Sequence, residues 1–342
     1  MQEIVIDTIQ KLIFSSLVAA VFAPIMIYLL YKTNQVVEYK KSKLGGGVSE
    51  NDTNEVFNNL MVGKTGTPNI GGVLVWVVVT AMVFLLIERT SVINAFLVGF
   101  ILFGLWGFID VVLTNKMKKD EKFRILQEKF GMRMVRFWTS ALISILAFWL
   151  LYQTKTIENI DLGVFSLSFS LFTVIVLGII GHFAVYSAEI TDGLDGLMIG
   201  IFGIIFTGMG ALLLIQGQYE WLPIIGIILG VIIVDLYFNI PPARFFNGGP
   251  GAMTLGFGIF YIGVVTGNII PYFIISALTW FIMSTSMIQI ISMRFFKKRV
   301  FKIAPIHHHF QAIGWPNPKI TMRFWLITMC TAILGVYIGL VL

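Results

Sequence analysis

The chain has a single cysteine, four histidines and little charge, with Asp, Glu, Lys and Arg making up 12% of its 342 residues. A lone Cys330 excludes an intramolecular disulfide and any cysteine-built metal cage. So little charge beside 57% hydrophobic residues excludes an ordinary soluble fold and leaves an integral membrane protein. The strand-like alternation of an outer-membrane barrel is missing, as are internal repeats and low-complexity segments. What fills the chain instead is a series of long apolar runs.

Ten of these runs are long enough, or nearly so, to cross a hydrocarbon core that takes about 20 helical residues. They lie near 13–31, 72–87, 92–113, 134–152, 166–184, 194–215, 221–239, 251–267, 270–292 and 322–342. Gly, Ser and Thr within them are ordinary in packed membrane helices. The expectation is a single all-α, polytopic transmembrane domain over 1–342 with about ten helices. The first run follows no basic region, precedes no small-residue cleavage site and is too long for a signal-peptide core, so it is expected to stay attached.

Basic residues set the expected orientation, because loops rich in Lys and Arg stay cytoplasmic. With ten alternating spans, all but three of the 24 Lys and Arg fall on one side, the exceptions being Lys11, Arg89 and Lys155. Both termini are then outside, and the loops near 32–71, 114–133, 185–193, 240–250 and 293–321 are cytoplasmic. The basic excess serves topology and attraction to anionic lipid first, with an anionic substrate as the sharper reading and no nucleic acid implied. Lys116 to Arg136 is the stretch expected to steer anionic substrates.

The polar segments that interrupt the apolar pattern all map to this cytoplasmic side. Lys64-Thr65-Gly66-Thr67-Pro68 has the composition of a turn, yet its lysine and hydroxyls also suit a diphosphate. Glu189-Ile190-Thr191-Asp192-Gly193-Leu194-Asp195-Gly196 places three carboxylates in seven residues beside hydrocarbon, which is costly unless cations or hydrogen bonds offset them. Asp192 and Asp195, three apart, would share a face on the opening turn of a helix, where one could act as N-cap and the set could serve magnesium or a nucleotide. Asp110 at a span end is either an interfacial charge or a site carboxylate. Asp235 lies inside a span, one turn before Asn239, where an acid needs a partner. His182 reads as a packed histidine. The loop carrying Pro305-Ile306-His307-His308-His309-Phe310 and Gly314-Trp315-Pro316 admits a metal site, a set of donors to phosphate or a solvated loop. Adjacent residues rarely converge on one ion, which favours phosphate contact.

From about residue 64 to the C-terminus, these segments together resemble the MraY family within the polyprenyl-phosphate hexosamine-1-phosphate transferase superfamily. The resemblance rests on Lys64 to Gly72, Gly107-Phe108-Ile109-Asp110, Thr191 to Gly196, Phe238-Asn239, and the triple histidine followed by Gly-Trp-Pro, the most specific of them. It implies transfer of phospho-MurNAc-pentapeptide from UDP-MurNAc-pentapeptide to undecaprenyl phosphate, giving lipid I and UMP, with Mg2+, in a homodimer in the bilayer whose site is cytoplasmic. Asp110, Asp192, His307, His308 and His309 are then candidate catalytic residues. Lys64, Thr67, Asn69, Glu189, Asp195 and Asn239 are candidate substrate-binding residues.

The chain departs from the family where Val111 follows Asp110 and where Gly249 replaces an aspartate that ligates the metal. Glu189 stands for an asparagine and Asp235 for an apolar residue, so the metal is assigned to Asp192 and Glu189. The alternative is a catalytically impaired relative that binds nucleotide-sugar or lipid carrier as a scaffold or regulator.

Overall fold

The computed structural model describes residues 1–33, 36, 65–119, 132–161 and 166–342, with side chains of 117–119, 132, 133 and 161 left aside. The described chain is helical apart from one small hairpin. In order it runs α1 (Gln2–Lys32), α2 (Val73–Leu86), α3 (Ser91–Lys119), α4 (Met132–Gln153), β1 (Asn159–Asp161), β2 (Ser166–Ser168), α5 (Leu171–Thr191) and α6 (Leu197–Gln216). After a 3-10 turn at Tyr219–Trp221 come α7 (Leu222–Asn239), α8 (Gly248–Val265), α9 (Ile269–Ile275), α10 (Ala277–Phe295), α11 (Ile306–Ala312) and α12 (Asn317–Val341). Strands β1 and β2 pair antiparallel, Ile160 opposite Leu167.

Among the described residues eight helices are long and apolar enough to cross a membrane, or nine when the bent pair α9–α10 counts as one span. With α2, every expected span has its helix. Two differ from the hydropathy reading. Helix α2 has only 14 residues, about 21 Å at a rise of 1.5 Å per residue, because the backbone before it is diverted into hydrogen bonds with the start of α8: Gly71 N–H to Phe246 O and Gly72 N–H to Asn247 O, both 2.9 Å. The ninth span is bent by 70° at Ser276, whose hydroxyl donates back to Tyr272 O at 2.6 Å.

Helix limits follow local chemistry. Ser170 and Thr173 cap the start of α5 reciprocally, and α6 runs between Gly196 and Gly217, both in the left-handed region at φ 69° and 75° that a side chain disfavours.

Helix α8 is the axis of the bundle: 89% of its apolar window is buried, against 22% for α1 and 28% for α12. Aromatic rings from three helices close around it, Phe96 and Phe103 of α3, Phe148 of α4 and its own Phe257, Phe260 and Tyr261. Outer helices turn apolar side chains outward, Val21 and Ile333 each 71% exposed, as lipid contact requires. Since lipid tails are as apolar as leucine, close backbone approach and polar bonds between helices hold the bundle. Ser15 of α1 bonds Ile227 O of α7 at 3.1 Å, and Gln216 and Asn268 exchange amide bonds at 3.0 and 2.9 Å.

Candidate functional site

One end of the bundle gathers the C-terminal ends of α3 and α5, the N-terminal ends of α2, α4 and α8, and the short helix α11. The acidic segment is organised differently from the helical face its spacing predicts. Helix α5 continues through Thr191, Asp192 is its C-cap, and α6 starts only after Gly196. The helix is broken across Asp192–Gly196, with Gly193 between the two aspartates and Gly196 after them, and each carboxylate serves a different neighbour. Asp192 Oδ2 accepts the Gly248 N–H at 2.7 Å, placing a negative charge on the N-terminus of α8. Asp195 Oδ2 accepts the Ala243 N–H at 3.3 Å.

Asn239, 1% exposed, ties the same turn to the α7–α8 connection: its Oδ1 accepts the Gly196 N–H at 2.9 Å and its Nδ2 donates to Phe245 O at 2.6 Å. Asn69 exchanges amide bonds with Asn115 of α3 at 3.1 and 2.9 Å. Thr67 is half-buried beside it, and Lys64 lies outside the described residues.

Asp110 is buried and faces Arg136 of α4, Nε to Oδ1 2.5 Å. The guanidinium also donates to Thr114 Oγ1, whose hydroxyl donates to Asp110 O at 2.7 Å. Asp110, Arg136, Ser140, Tyr186, Glu189 and Met253 enclose a cavity of about 300 Å3. Asp235 is elsewhere, fully buried in α7 with Oδ1 accepting from Asn247 Nδ2 at 2.9 Å.

The triple histidine stands on α11, about two turns of helix within what the sequence offers as a loop; the His307 and His308 rings pack edge-to-face with centroids 4.3 Å apart, and His309 is tied to the segment before the helix. His307, fully buried, lies against the Cα of Gly193, so any side chain at 193 would overlap its Nε2. His308 Nδ1 is 2.6 Å from Gln311 Oε1. His309 Nδ1 accepts the Lys302 N–H at 3.1 Å, holding the segment before α11. His182 is the packed histidine expected of it, 1% exposed, with Nδ1 2.8 Å from Ser140 Oγ and its ring edge-on to Phe137.

Residues 93–267 match the profile of glycosyl transferase family 4. A phospho-N-acetylmuramoyl-pentapeptide-transferase of Geobacillus sp. (strain WCH70) is 30% identical over 285 residues, covering 80% of this chain and 84% of the relative. Proteins of the same name from Anoxybacillus flavithermus and Caldicellulosiruptor bescii are 31% and 29% identical, the second over 96% of this chain and 97% of its own length. The chain belongs to the MraY family.

MraY-family proteins use a divalent metal. Among the described residues no three His, Cys, Asp or Glu side chains converge on a common point, so a protein-built cage is not offered. The donors present fit the lighter demand of a hard divalent cation, which can be held by one or two carboxylates with water and substrate phosphate completing its shell. Glu189 and Asp192 sit one turn apart at the end of α5, with Glu189 lining the cavity.

Position 249, where MraY relatives are expected to carry a ligating aspartate, is closed here. A Cβ on Gly249 would stand 2.9 Å from both Cα and O of Gly107 in α3, backbone against backbone. A separate close approach sets Gly251 beside Gly72, the N-cap of α2, where a Cβ on Gly251 would be 2.9 Å from the Gly72 Cα.

Sequence reading missed Arg136 as an individual, placing it in a diffuse basic stretch. Its signal was present: with Arg133 it is one of two charged residues in α4, both in the first turns of a largely apolar helix.

Proposed function

We propose that this protein transfers phospho-MurNAc-pentapeptide from UDP-MurNAc-pentapeptide to undecaprenyl phosphate, yielding lipid I and UMP, at the cytoplasmic face of a bacterial inner membrane. Membership of the family supports the coarser statement, a polyprenyl-phosphate sugar-phosphate transferase role in peptidoglycan synthesis. The observation that supports the finer one is the gathering of polar groups at one end of the bundle, Asp110 and Glu189 lining one cavity and Asp192 and His307 at the adjoining acidic turn.

The chemistry is an exchange at phosphorus. An oxygen of the lipid phosphate bonds to the sugar-bearing phosphorus, the bond from that phosphorus to the bridging oxygen breaks, and UMP leaves with that electron pair. Two anions must be held in line, so positioning and charge neutralisation dominate. Arg136, fixed by Asp110 and Thr114, presents a guanidinium toward the cavity and neutralises phosphate charge there. Asp110 aims that guanidinium and orients the attacking phosphate. His307, beside the Gly193 turn, contacts the diphosphate, with Thr67 and Asn69 as further substrate contacts; Lys64, outside the described residues, is assigned to the same task from the sequence alone. Glu189 and Asp192 are the residues that would hold Mg2+, which would supply charge screening of the diphosphate when bound. Both termini are outside, and two copies form the working unit.

A second reading is favoured by the Gly107–Gly249 contact, which leaves no space for the family's ligand: a protein that binds nucleotide-sugar or lipid carrier without turning it over. Release of UMP by purified protein given both substrates separates the two readings. Turnover supports the transferase, whereas UMP binding without turnover supports the scaffold.

A further inference from the structure

After Asp235 the chain contains no further aspartate or glutamate, and five of the eight Lys and Arg that follow fall between Arg294 and Lys302. These five sit at the end of α10 and on the strap that joins it to α11. The strap is folded back on the helix. Gln289 Oε1 accepts the N–H groups of Val300 and Phe301 at 3.1 and 3.0 Å, Ser292 Oγ donates to Lys298 O at 2.7 Å, and the far end is held where Lys302 N–H meets His309 Nδ1. Between strap and helix lies a cleft of about 410 Å3, lined by Ser286, Gln289, Met293, Arg299 and Ile303. Among the described residues the ion pairs are elsewhere, Lys11 with Asp7 and Arg136 with Asp110.

Helix α10 leaves the bundle before it reaches the strap, its last buried residue being Thr285. Beyond it Ile290 and Ile291 are exposed, and Phe295 and Phe296, 71% and 70% exposed, stand next to the basic cluster. An apolar helix face ending in aromatic side chains and then in clustered cations is the layering of a bilayer surface, from acyl chains through the interface to anionic headgroups.

We propose that this strap is a docking site for an anionic phospholipid of the surrounding bilayer, its headgroup phosphate held by the strap's basic residues and an acyl chain laid along the exposed face of α10. Charge complementarity selects an anion. The apolar face and the phenylalanine pair select a lipid over a soluble anion, which would leave both in water. Topology alone requires the charges, but neither the folded strap nor the cleft. The proposal is independent of the transferase reading. One position separates charge from folding: Lys297 turns the chain at φ 56°, where glycine is less strained, so Lys297→Gly removes a cation without weakening the turn.

The test titrates the full-length protein in detergent micelles with phosphatidylglycerol and, separately, phosphatidylcholine, counting bound lipid by native mass spectrometry. Phosphatidylglycerol should bind about 10-fold or more tightly than phosphatidylcholine, and less so as salt rises. Lys297→Gly combined with Lys298→Gln should weaken it about 25-fold, at about 5-fold per charge, with the thermal midpoint unchanged or raised. Lys319→Gln combined with Arg323→Gln removes two cations that lie over Trp315 outside the strap and should change binding by less than about 3-fold.

Equal affinity for the two lipids, or equal losses in the two double variants, overturns the proposal, because either outcome means general attraction without a site. Displacement of phosphatidylglycerol by millimolar inorganic phosphate overturns it in favour of a free-phosphate site. A preference for undecaprenyl phosphate that the strap variant abolishes assigns the surface to that lipid instead. Binding of polyglutamate without lipid, lost in the same variant, assigns it to an acidic protein; each of these two results also overturns the proposal.

Discussion

Arg136 shows how one side chain changes the meaning of its neighbours. Without it, Asp110 and Glu189 would be two acids sharing a closed cavity, a costly arrangement. With it, Asp110 is a paired carboxylate that holds a cation where anionic substrates must be drawn in. Arg136→Gln keeps an amide for Thr114 but removes the charge. UMP release should fall about 100-fold, the scale expected when one preorganised electrostatic group is lost, and Asp110→Asn on that background should cost little more. Additive losses, measured as a double-mutant cycle on kcat/KM, would show that the two do not act as a pair.

Glu189 makes a separate prediction. Glu189→Gln should raise the magnesium concentration needed for half-maximal UMP release by about 10-fold or more, since one of the two proposed carboxylate ligands is gone. Asp235→Asn should leave it unchanged, because Asp235 is sealed in α7 against Asn247. Equal shifts in both variants would contradict this assignment.

The crossing of α3 and α8 is the element-level feature that most separates this chain from what the resemblance implies. Gly107 and Gly249 meet through their backbones, so Gly249→Asp should destabilise the protein by about 1–3 kcal/mol or more, the usual cost of forcing atoms into a filled contact. Thermal unfolding in detergent checks it. An unaltered midpoint would mean that the helices part easily and the ligand position is still open.

The Asp235–Asn247 bond joins α7 to the start of α8 in the same way. Asp235→Leu strands the Asn247 amide and should cost about 1–3 kcal/mol, and adding Asn247→Leu should recover much of it, since an apolar pair leaves nothing unsatisfied. If the double variant is as unstable as the single one, the pair contributes something beyond its mutual bond.

Spans were legible because hydrophobic length is a local property, and each apolar run has its helix. Helix α11 was not, because seven residues give too little periodicity to read. The closed space at Gly249 was not either, since it is set by Gly107 on a different helix 142 positions away in the chain. Asp192 was given the wrong neighbour: spacing put it on the opening turn of a helix, whereas it is the C-cap of α5 and α6 begins only after Gly196.

At the scale of the whole molecule, the bundle places a lipid-facing exterior around a buried axis, α8, whose N-terminus receives Asp192, abuts α3 and bonds the segment before α2. A soluble nucleotide-sugar and a membrane-bound lipid phosphate can meet only at such an interface, with the acids and histidines at the helix ends and the apolar length below them. The direct test is UMP release from UDP-MurNAc-pentapeptide by the purified protein with undecaprenyl phosphate, with and without magnesium. The account predicts UMP formed only when the lipid phosphate is present, and more of it with the metal. UMP that is bound but never released from substrate under either condition would contradict it and leave the protein a binding relative of the family.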